Sequence, residues 1–399
     1  MKIGLVGVDL DSPNKGCEAL AYAALELLNR IASKHNEIYH IFVIRKFPIK
    51  DYIRSGFSIG SVKNQFAPKH NYTNLVIESL LIHHIKDEML YSKKISEMDF
   101  VIDFTGGDSF SDIYGRDRFY SRTRFKETIV NHNIPLILGS QTVGPFMNEK
   151  VANYAGKIIN LSLEVFVRDQ LSYDCVREVS GRDAIITTDV AFSLPYEKKK
   201  NDTGEIIKVG LNVSGLLWNG GYSQDNQFKL TVDYKEYCRS LLVRLLNNGY
   251  EVHIIPHAFK KDLTDVDNDL VPAMSLHNEF PKTVLAPYFN SCIEAKSYIA
   301  QMDVFSGARM HSTIGAFSSG VPVIPFSYSR KFEGLFNSLE YPFVLNAREM
   351  ETNECVTQTL TWIKQYNLLK DGMQKGKELI SLKTDVFIRR LEELFYYNK

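Results

Sequence analysis

The sequence predicts an α/β protein of two Rossmann-like domains whose strand C-terminal ends face a cleft. Three observations lead there. A chain of 399 residues is too long for one ordinary core and suits two. Short apolar runs end again and again in polar, glycine-bearing loops that open into helical periodicity, the pattern of parallel sheets with helices on both faces. Finally, Pro195 to Lys208 is a charge-rich, structure-poor stretch between two strand patterns, which places one domain over 1–196, a linker at about 196–207 and a second domain over 208–399.

Composition narrows the class. At 44% hydrophobic and 24% charged the chain is ordinary globular protein. Lysine plus arginine and aspartate plus glutamate stand at 47 each, and Met1 to Tyr196 carries 23 of each sign, so neither half is polarised and a dedicated nucleic-acid binder is disfavoured. Five widely spaced cysteines without a CxxC predict free thiols, a reduced compartment and no structural zinc. MKIGLVGVDL starts directly with a strand pattern and has no signal-peptide architecture, so a cytoplasmic protein is expected. The most apolar run, Leu75 to Ile85, is short and broken by Glu78, His83 and His84, too interrupted to span a membrane.

In the first half, Ile3 to Val8 reads as a strand, followed by the loop SPNKG and a helix from near Cys17 with Leu20, Ala24, Leu28 and Ile31 on one face. Asn14, Lys15 and Glu18 are the polar groups there, open to a ligand reading or to plain turn and first-turn roles. Arg45 to His70 interleaves basic residues with Phe47, Tyr52, Phe57 and Phe66 around one acid, Asp51; it can dock on an anionic membrane surface or be a solvated loop. Phe100 to Phe104 is a strand running into Thr105-Gly106-Gly107-Asp108, whose glycines permit close backbone approach and whose Asp108 faces a cleft or caps a turn. Arg116, Arg118, Arg122, Arg124 and Lys126 follow, able to grip phosphates or coat a helix. Pro135 to Leu138 leads into the loop of Gln141, and Val165 to Val167 ends at Arg168, which should stand at the carboxyl edge of the sheet.

In the second half, Val209 to Val213, Val252 to Ile255 and Val304-Phe305 read as strands, Tyr234 to Asn247 as a helix, and Leu360 to Tyr396 as largely helical. The organising stretch is Asp303 to Tyr328. The chain turns at Ser306-Gly307, Ile314, Ala316 and Phe317 form a helical face, Gly320 stops it, and a buried strand resumes. Arg309 and His311 therefore sit at a helix N-terminus, where free N–H groups and the dipole favour phosphate or carboxylate. A core histidine beside a surface arginine is the plainer alternative.

With these residues in view, the chain resembles the polysaccharide pyruvyl transferase family. The likeness is carried in order by NKGCEAL, TGGDSF, GSQTVGPF, VFVRDQLSYD, Pro256-His257, SGARMHSTIGAFSSGVP and Lys331-Phe332. Cys17 departs from it, since the family often carries an aspartate there. The resemblance implies a fold like the GT-B glycosyltransferases and transfer of the pyruvyl group of phosphoenolpyruvate onto two sugar hydroxyls as a cyclic ketal, releasing phosphate, in surface polysaccharide biosynthesis. It implies a donor site of Arg168, Arg309, Met310, His311 and His257, with Arg168, Arg309 and His311 catalytic. Paired arginine forks suit a carboxylate and a phosphate on one small skeleton, and His311 is the expected acid, with Asp108 or Asp189 able to share the work. The acceptor, a sugar expected on a polyprenyl diphosphate, is assigned to Asn14, Gly16, Glu18, Gly107, Asp108 and Gln141. No metal or cofactor is expected beyond phosphoenolpyruvate as donor, and location is expected in the cytoplasm, with peripheral contact to the inner membrane leaflet through the basic stretch. Two rivals stand beside this reading: a GT-B glycosyltransferase using a nucleotide sugar, and a non-catalytic carbohydrate-binding subunit of a polysaccharide assembly.

Overall fold

The computed structural model describes residues 1–46, 70–82, 95–198 and 206–397. By its contacts the chain forms two units: Met1–Asp11, Leu20–Val190 and Leu382–Lys399 make the first, and Ser12–Ala19 with Ala191–Ser381 the second. The sequence shows no composition shift at either exchange, so reading the chain as consecutive halves misses both. The basic stretch from Arg45 lies, beyond Lys46, outside the described residues until His70.

The first unit is built on parallel strands β1 (Lys2–Val6), β2 (Tyr39–Lys46), β3 (Leu75–Ile82), β4 (Phe100–Asp103), β5 (Leu136–Gln141), β6 (Glu164–Val167) and β7 (Ile185–Ile186). Their order is β3-β2-β1-β4-β5-β6-β7. The run Leu75 to Ile82, noted above only for its failure as a membrane span, is thus a strand at the sheet edge. Helix α1 (Lys15–Lys34) buries Leu20, Ala24, Leu28 and Ile31 as its periodicity requires. Strand β1 stops two residues short of the expected Val8 because Gly7 turns with φ of 71°, and a Cβ there would lie 2.3 Å from the Thr105 nitrogen. Helix α2 (Arg116–Asn131), α3 (Glu149–Leu161) and α4 (Gln170–Ser180) follow; Asp169 caps α4 by accepting from the Ser172 N–H at 2.8 Å.

The C-terminal residues complete this unit. Arg390 Nε donates to Glu164 at 2.7 Å, Phe387 meets Phe166 edge-on at 4.7 Å between ring centroids, and buried Phe395 packs on Tyr39 and Phe100. Tyr396 stacks on His35 at 4.0 Å.

The second unit carries β8 (Lys208–Asn212), β9 (Glu251–Ile254), β10 (Val284–Leu285), β11 (Val304–Gly307), β12 (Val323–Ser327) and β13 (Leu345–Asn346), all parallel, in the order β10-β9-β8-β11-β12-β13. Their crossovers carry α5 (Gly215–Trp218), α6 (Tyr234–Asn247), α7 (Leu270–Glu279), α8 (Cys292–Ile299), α9 (Met310–Ser319) and α10 (Arg330–Ser338); α11 (Thr352–Lys364) and α12 (Tyr366–Glu392) follow the last strand. Gly320 ends α9 in the left-handed conformation at φ 84°, as its sequence position predicts. In both sheets the first strand of the unit pairs with its second on one side and its fourth on the other, which creates a topological switch point at β1/β4 and at β8/β11. Among the described residues no helix is long and apolar enough to cross a membrane.

Candidate functional site

Open α/β sheets bind ligands beyond the carboxyl ends of the strands that flank the switch point. In the second unit those ends are Asn212 and Gly307, which are register partners. Asn212 fixes the corner: its Nδ2 donates to the Ile255 carbonyl at 2.9 Å, and its Oδ1 accepts the Arg309 N–H at 2.8 Å. Arg309 is consequently held in extended backbone as the N-cap of α9, and its carbonyl receives the N–H groups of Ser312 and Thr313.

The Arg309 guanidinium does not present an open fork. Nε and Nη2 donate to Asp269, Nη1 donates to Asp267 Oδ1 at 2.6 Å, and Nη2 also reaches the Asp267 carbonyl at 2.8 Å. One Nη1 hydrogen is left over. The carboxylates raise its pKa further against the cost of burial, which locks the charge. Asp269 is the hub of this edge. Wholly buried, it also accepts the N–H groups of Gly215, His257 and Ala258 at 2.8, 3.0 and 3.1 Å. A single carboxylate thereby fixes the loops after β8 and β9 together with Arg309. The bidentate donor grip expected of Arg309 is thus already occupied within the protein.

Residues 12–19 dock on the same edge. Asn14 forms an antiparallel bridge with Ala258, the Lys15 N–H donates to the His257 carbonyl at 2.9 Å, and the Phe259 N–H to the Pro13 carbonyl at 2.7 Å. Gly16 lies flat against His311: a Cβ there would come within 2.5 Å of His311 Nδ1. Asn14 Oδ1 accepts the Gly16 N–H at 3.0 Å, and Glu18 forms a buried ion pair with Lys15 at 2.7 Å. The three residues expected to hold an acceptor from the first domain therefore belong to the second unit, and their contacts shape the surroundings of His257 and His311. The sequence suggested otherwise because Asn14, Gly16 and Glu18 lie early in the chain.

Lys15, His257, Lys296 and His311 line a void of about 10 Å³, room for one water molecule. His257 is 4% exposed, and neither ring nitrogen has a hydrogen-bond partner. Burial, then the charges of His311, Arg309 and Lys15, depress its pKa to about 3. Lys296 donates to the Leu194 carbonyl at 2.7 Å and lies 4.9 Å from the Tyr196 ring centroid; burial lowers its pKa to about 7. Lys15 is neutralised by Glu18 and Lys296 is satisfied by a carbonyl, so what the void leaves unmet is the hydrogen-bonding capacity of His257, which a ligand oxygen can take up. Met310, the first residue of α9, is buried beside it.

The His257 shift has a testable sign. The unfolded chain binds a proton below the ordinary histidine value of 6.5 and the native state only near 3, so stability falls as pH drops through that interval, by about 1.4 kcal/mol per unit of pKa difference. Urea melts between pH 7 and 4 should show a shallower pH slope for His257→Gln than for wild type. Equal slopes would mean that His257 is protonated in the folded protein.

The remaining expected residues lie in the first unit. Arg168, 1% exposed at the end of β6, donates through Nη1 to buried Asp189 at 2.5 Å. Gln141 is buried and donates to the Asp103 carbonyl at 2.9 Å. Gly107 accepts the Thr142 N–H at 2.8 Å and has φ of 87°, while Asp108 accepts from the Tyr114 hydroxyl at 2.9 Å. The basic run on α2 divides: Arg116, Arg118, Arg122 and Arg124 are exposed, whereas Lys126 is fully buried and pairs with Asp103 at 3.1 Å. Burial lowers the Lys126 pKa, and Asp103 opposes that shift. Sequence reasoning missed Asp103, Asn212, Asp267, Asp269 and Lys296. The run DLTDVDND from Asp262 was the one visible signal for the Arg309 clamp, but nothing in it marks which acids face an arginine some forty residues on.

Comparison with solved structures supports the fold. The chain superposes on Anabaena HepE, solved in complex with UDP and glucose, with a TM-score of 0.57 at 10% identity over 99% of both chains. A UDP-N-acetylglucosamine 2-epimerase gives 0.57 at 12% identity, covering 100% of this chain and 96% of the other. S. aureus MnaA, solved with UDP, gives 0.55 at 9%, covering 99% and 96%. Such identities speak for architecture alone, and the architecture is the GT-B class of α/β protein. The family model of the polysaccharide pyruvyl transferases matches residues 14–330, a span that opens at the segment packed on His311 and takes in Arg168, the Asp269 hub and α9. On that match, over most of its length, the chain belongs to the polysaccharide pyruvyl transferase family.

Proposed function

We propose that this protein transfers the pyruvyl carbons of phosphoenolpyruvate to two hydroxyls of one sugar, forming a cyclic ketal and releasing inorganic phosphate in the synthesis of a surface polysaccharide. The observation that carries the reading is the buried polar cluster at the carboxyl edge of the second sheet, where His257 keeps both ring nitrogens unpartnered beside His311 and Lys15. An oxygen of an anionic donor reaching this edge would satisfy His257, and the family membership says which transfer to test first.

The reaction balances as follows. A proton adds to the methylene carbon of the donor, leaving C2 electron-poor; one sugar hydroxyl attacks C2, and its proton passes to solvent or base. The second hydroxyl then replaces phosphate at C2, with cleavage of the C–O bond to the leaving group. His311 is the acid in this proposal, since imidazolium can release a proton near neutral pH and a guanidinium cannot. Arg309, with its fork occupied, holds the start of α9 and contributes fixed positive charge rather than a two-point grip. His257, held neutral by burial, offers one N–H donor, and an adjacent anion raises its proton affinity. Arg168 remains proposed as a donor contact, and the acceptor as a lipid-linked sugar.

The test is direct. Incubation with phosphoenolpyruvate and candidate lipid-linked sugars should release phosphate in step with a pyruvyl mass gain on the sugar. Binding of a UDP-sugar without binding of phosphoenolpyruvate would replace this reading by nucleotide-sugar transfer.

A further inference from the structure

We propose that the second unit carries a separate anion site on the opposite, amino-terminal side of its sheet, suited to a small ligand bearing a diphosphate group. A concavity of about 530 Å³ opens there, lined by Lys198, Lys370, Lys377, Tyr196, Tyr366 and Asp303 among others. Its floor is set by the starts of β11 and β12, since Asp303 immediately precedes Val304 and Pro322 precedes Val323. His257 and His311 follow strand C-terminal ends, so the two sites lie at opposite edges of one sheet.

The lysines converge by design of the helix that bears them. Tyr366, Lys370 and Lys377 are four and seven residues apart, which puts them on one face of α12. Lys198 joins them from the segment after Tyr196. Among the described residues no carboxylate pairs with any of the three ammonium groups: Asp303 accepts instead from the Lys208 N–H at 2.7 Å. Lys370 and Lys198, after burial, hold the Lys377 pKa below its ordinary value, so the like charges feel one another.

One ordinary explanation is that lysines collect at the C-terminal end of α9, whose Gly320 lies in the same wall. It falls short on charge. A helix end supplies only about half a negative charge, and Asp303 supplies one more, against three positive charges. The surplus is about one and a half. No hydrogen bond runs from these lysines to the α9 carbonyls; the Ser319 carbonyl takes the Tyr196 hydroxyl at 3.4 Å. The volume lies within the range of small-molecule sites, well beyond a lone phosphate, and the two tyrosines add ring surface and hydroxyls for the rest of the ligand. The same diphosphate chemistry comes from a free nucleoside or sugar diphosphate or from a lipid headgroup.

The full chain should bind inorganic pyrophosphate in calorimetry, and the triple variant Lys198→Gln, Lys370→Gln, Lys377→Gln should bind it roughly ten-fold more weakly, because three partly exposed charge contacts are lost. All three positions are at least partly exposed, so the variant should fold. His311→Gln serves as the control for anion binding at the other edge and should leave this isotherm in place. Flotation with vesicles doped with a lipid diphosphate, geranylgeranyl diphosphate, competed away by pyrophosphate, would assign the group to a lipid; pyrophosphate binding without flotation would assign it to a free ligand. Equal affinity in wild type and triple variant, or no pyrophosphate binding in wild type, overturns the proposal.

Discussion

His311→Gln should lower turnover by about 10² to 10⁴-fold while phosphoenolpyruvate still binds, the usual loss when a positioned acid is removed. The substitution keeps a polar side chain of moderate size against Gly16, which lies in close contact with His311. A rate measurement alone cannot name the step. In D₂O, wild type should place solvent deuterium in the ketal's methyl group, because the methylene carbon must gain a proton before C2 can be attacked. A product methyl without deuterium eliminates carbon protonation. Full incorporation at an undiminished rate in the variant keeps the chemistry and moves the acid elsewhere, first to His257, whose unpartnered nitrogens face the same void.

Asp269→Asn should destabilise the protein by about 3–5 kcal/mol, the cost of leaving a buried partner charge uncompensated. Its carboxylate takes two arms of Arg309 and three backbone N–H groups, and an amide cannot accept all of them. Asp267→Asn should cost distinctly less, since Arg309 keeps Asp269 and the Asp267 carbonyl. Denaturant melts of the two variants decide the matter. A loss below about 1 kcal/mol for Asp269→Asn would show that the loops after β8 and β9 hold without their hub. Phosphate release by the folded fraction should fall as well, because His257 and the start of α9 are positioned through the same oxygen atoms.

The sequence made much of this legible, and the gaps have physical causes. Val304 to Phe326 could be read as strand, helix and strand because each boundary has a local chemical signal, Ser306-Gly307 at one end and Gly320 at the other. Tyr234 to Asn247 was readable to the residue for the same reason: Asp233 caps it. Strand β3 was not, since LVIESLLI lacks alternation and an apolar run of that length fits several fates. Two-residue strands such as β10 and β13 leave no periodicity at all. Among the candidate residues, His257, Arg309 and His311 stand out in the sequence because each follows a strand end. Their supporting shell was not, because Asp269 acts through contacts that are local in space and distant along the chain. Lys126 shows the same limit: in a run of five basic residues on one helix, only the packing reveals which is buried against Asp103.

Residues 382–397 belong to the first unit although the whole second unit is translated before them. On the ribosome, therefore, the sheet of β1 to β7 must wait with Tyr39, Phe100 and Phe166 uncovered while residues 191–381 emerge. Aromatic surface left bare for that long is an invitation to chaperones and to aggregation. The order of synthesis and the order of completion are reversed: the unit begun first is finished last, when Phe387 and Phe395 close over it.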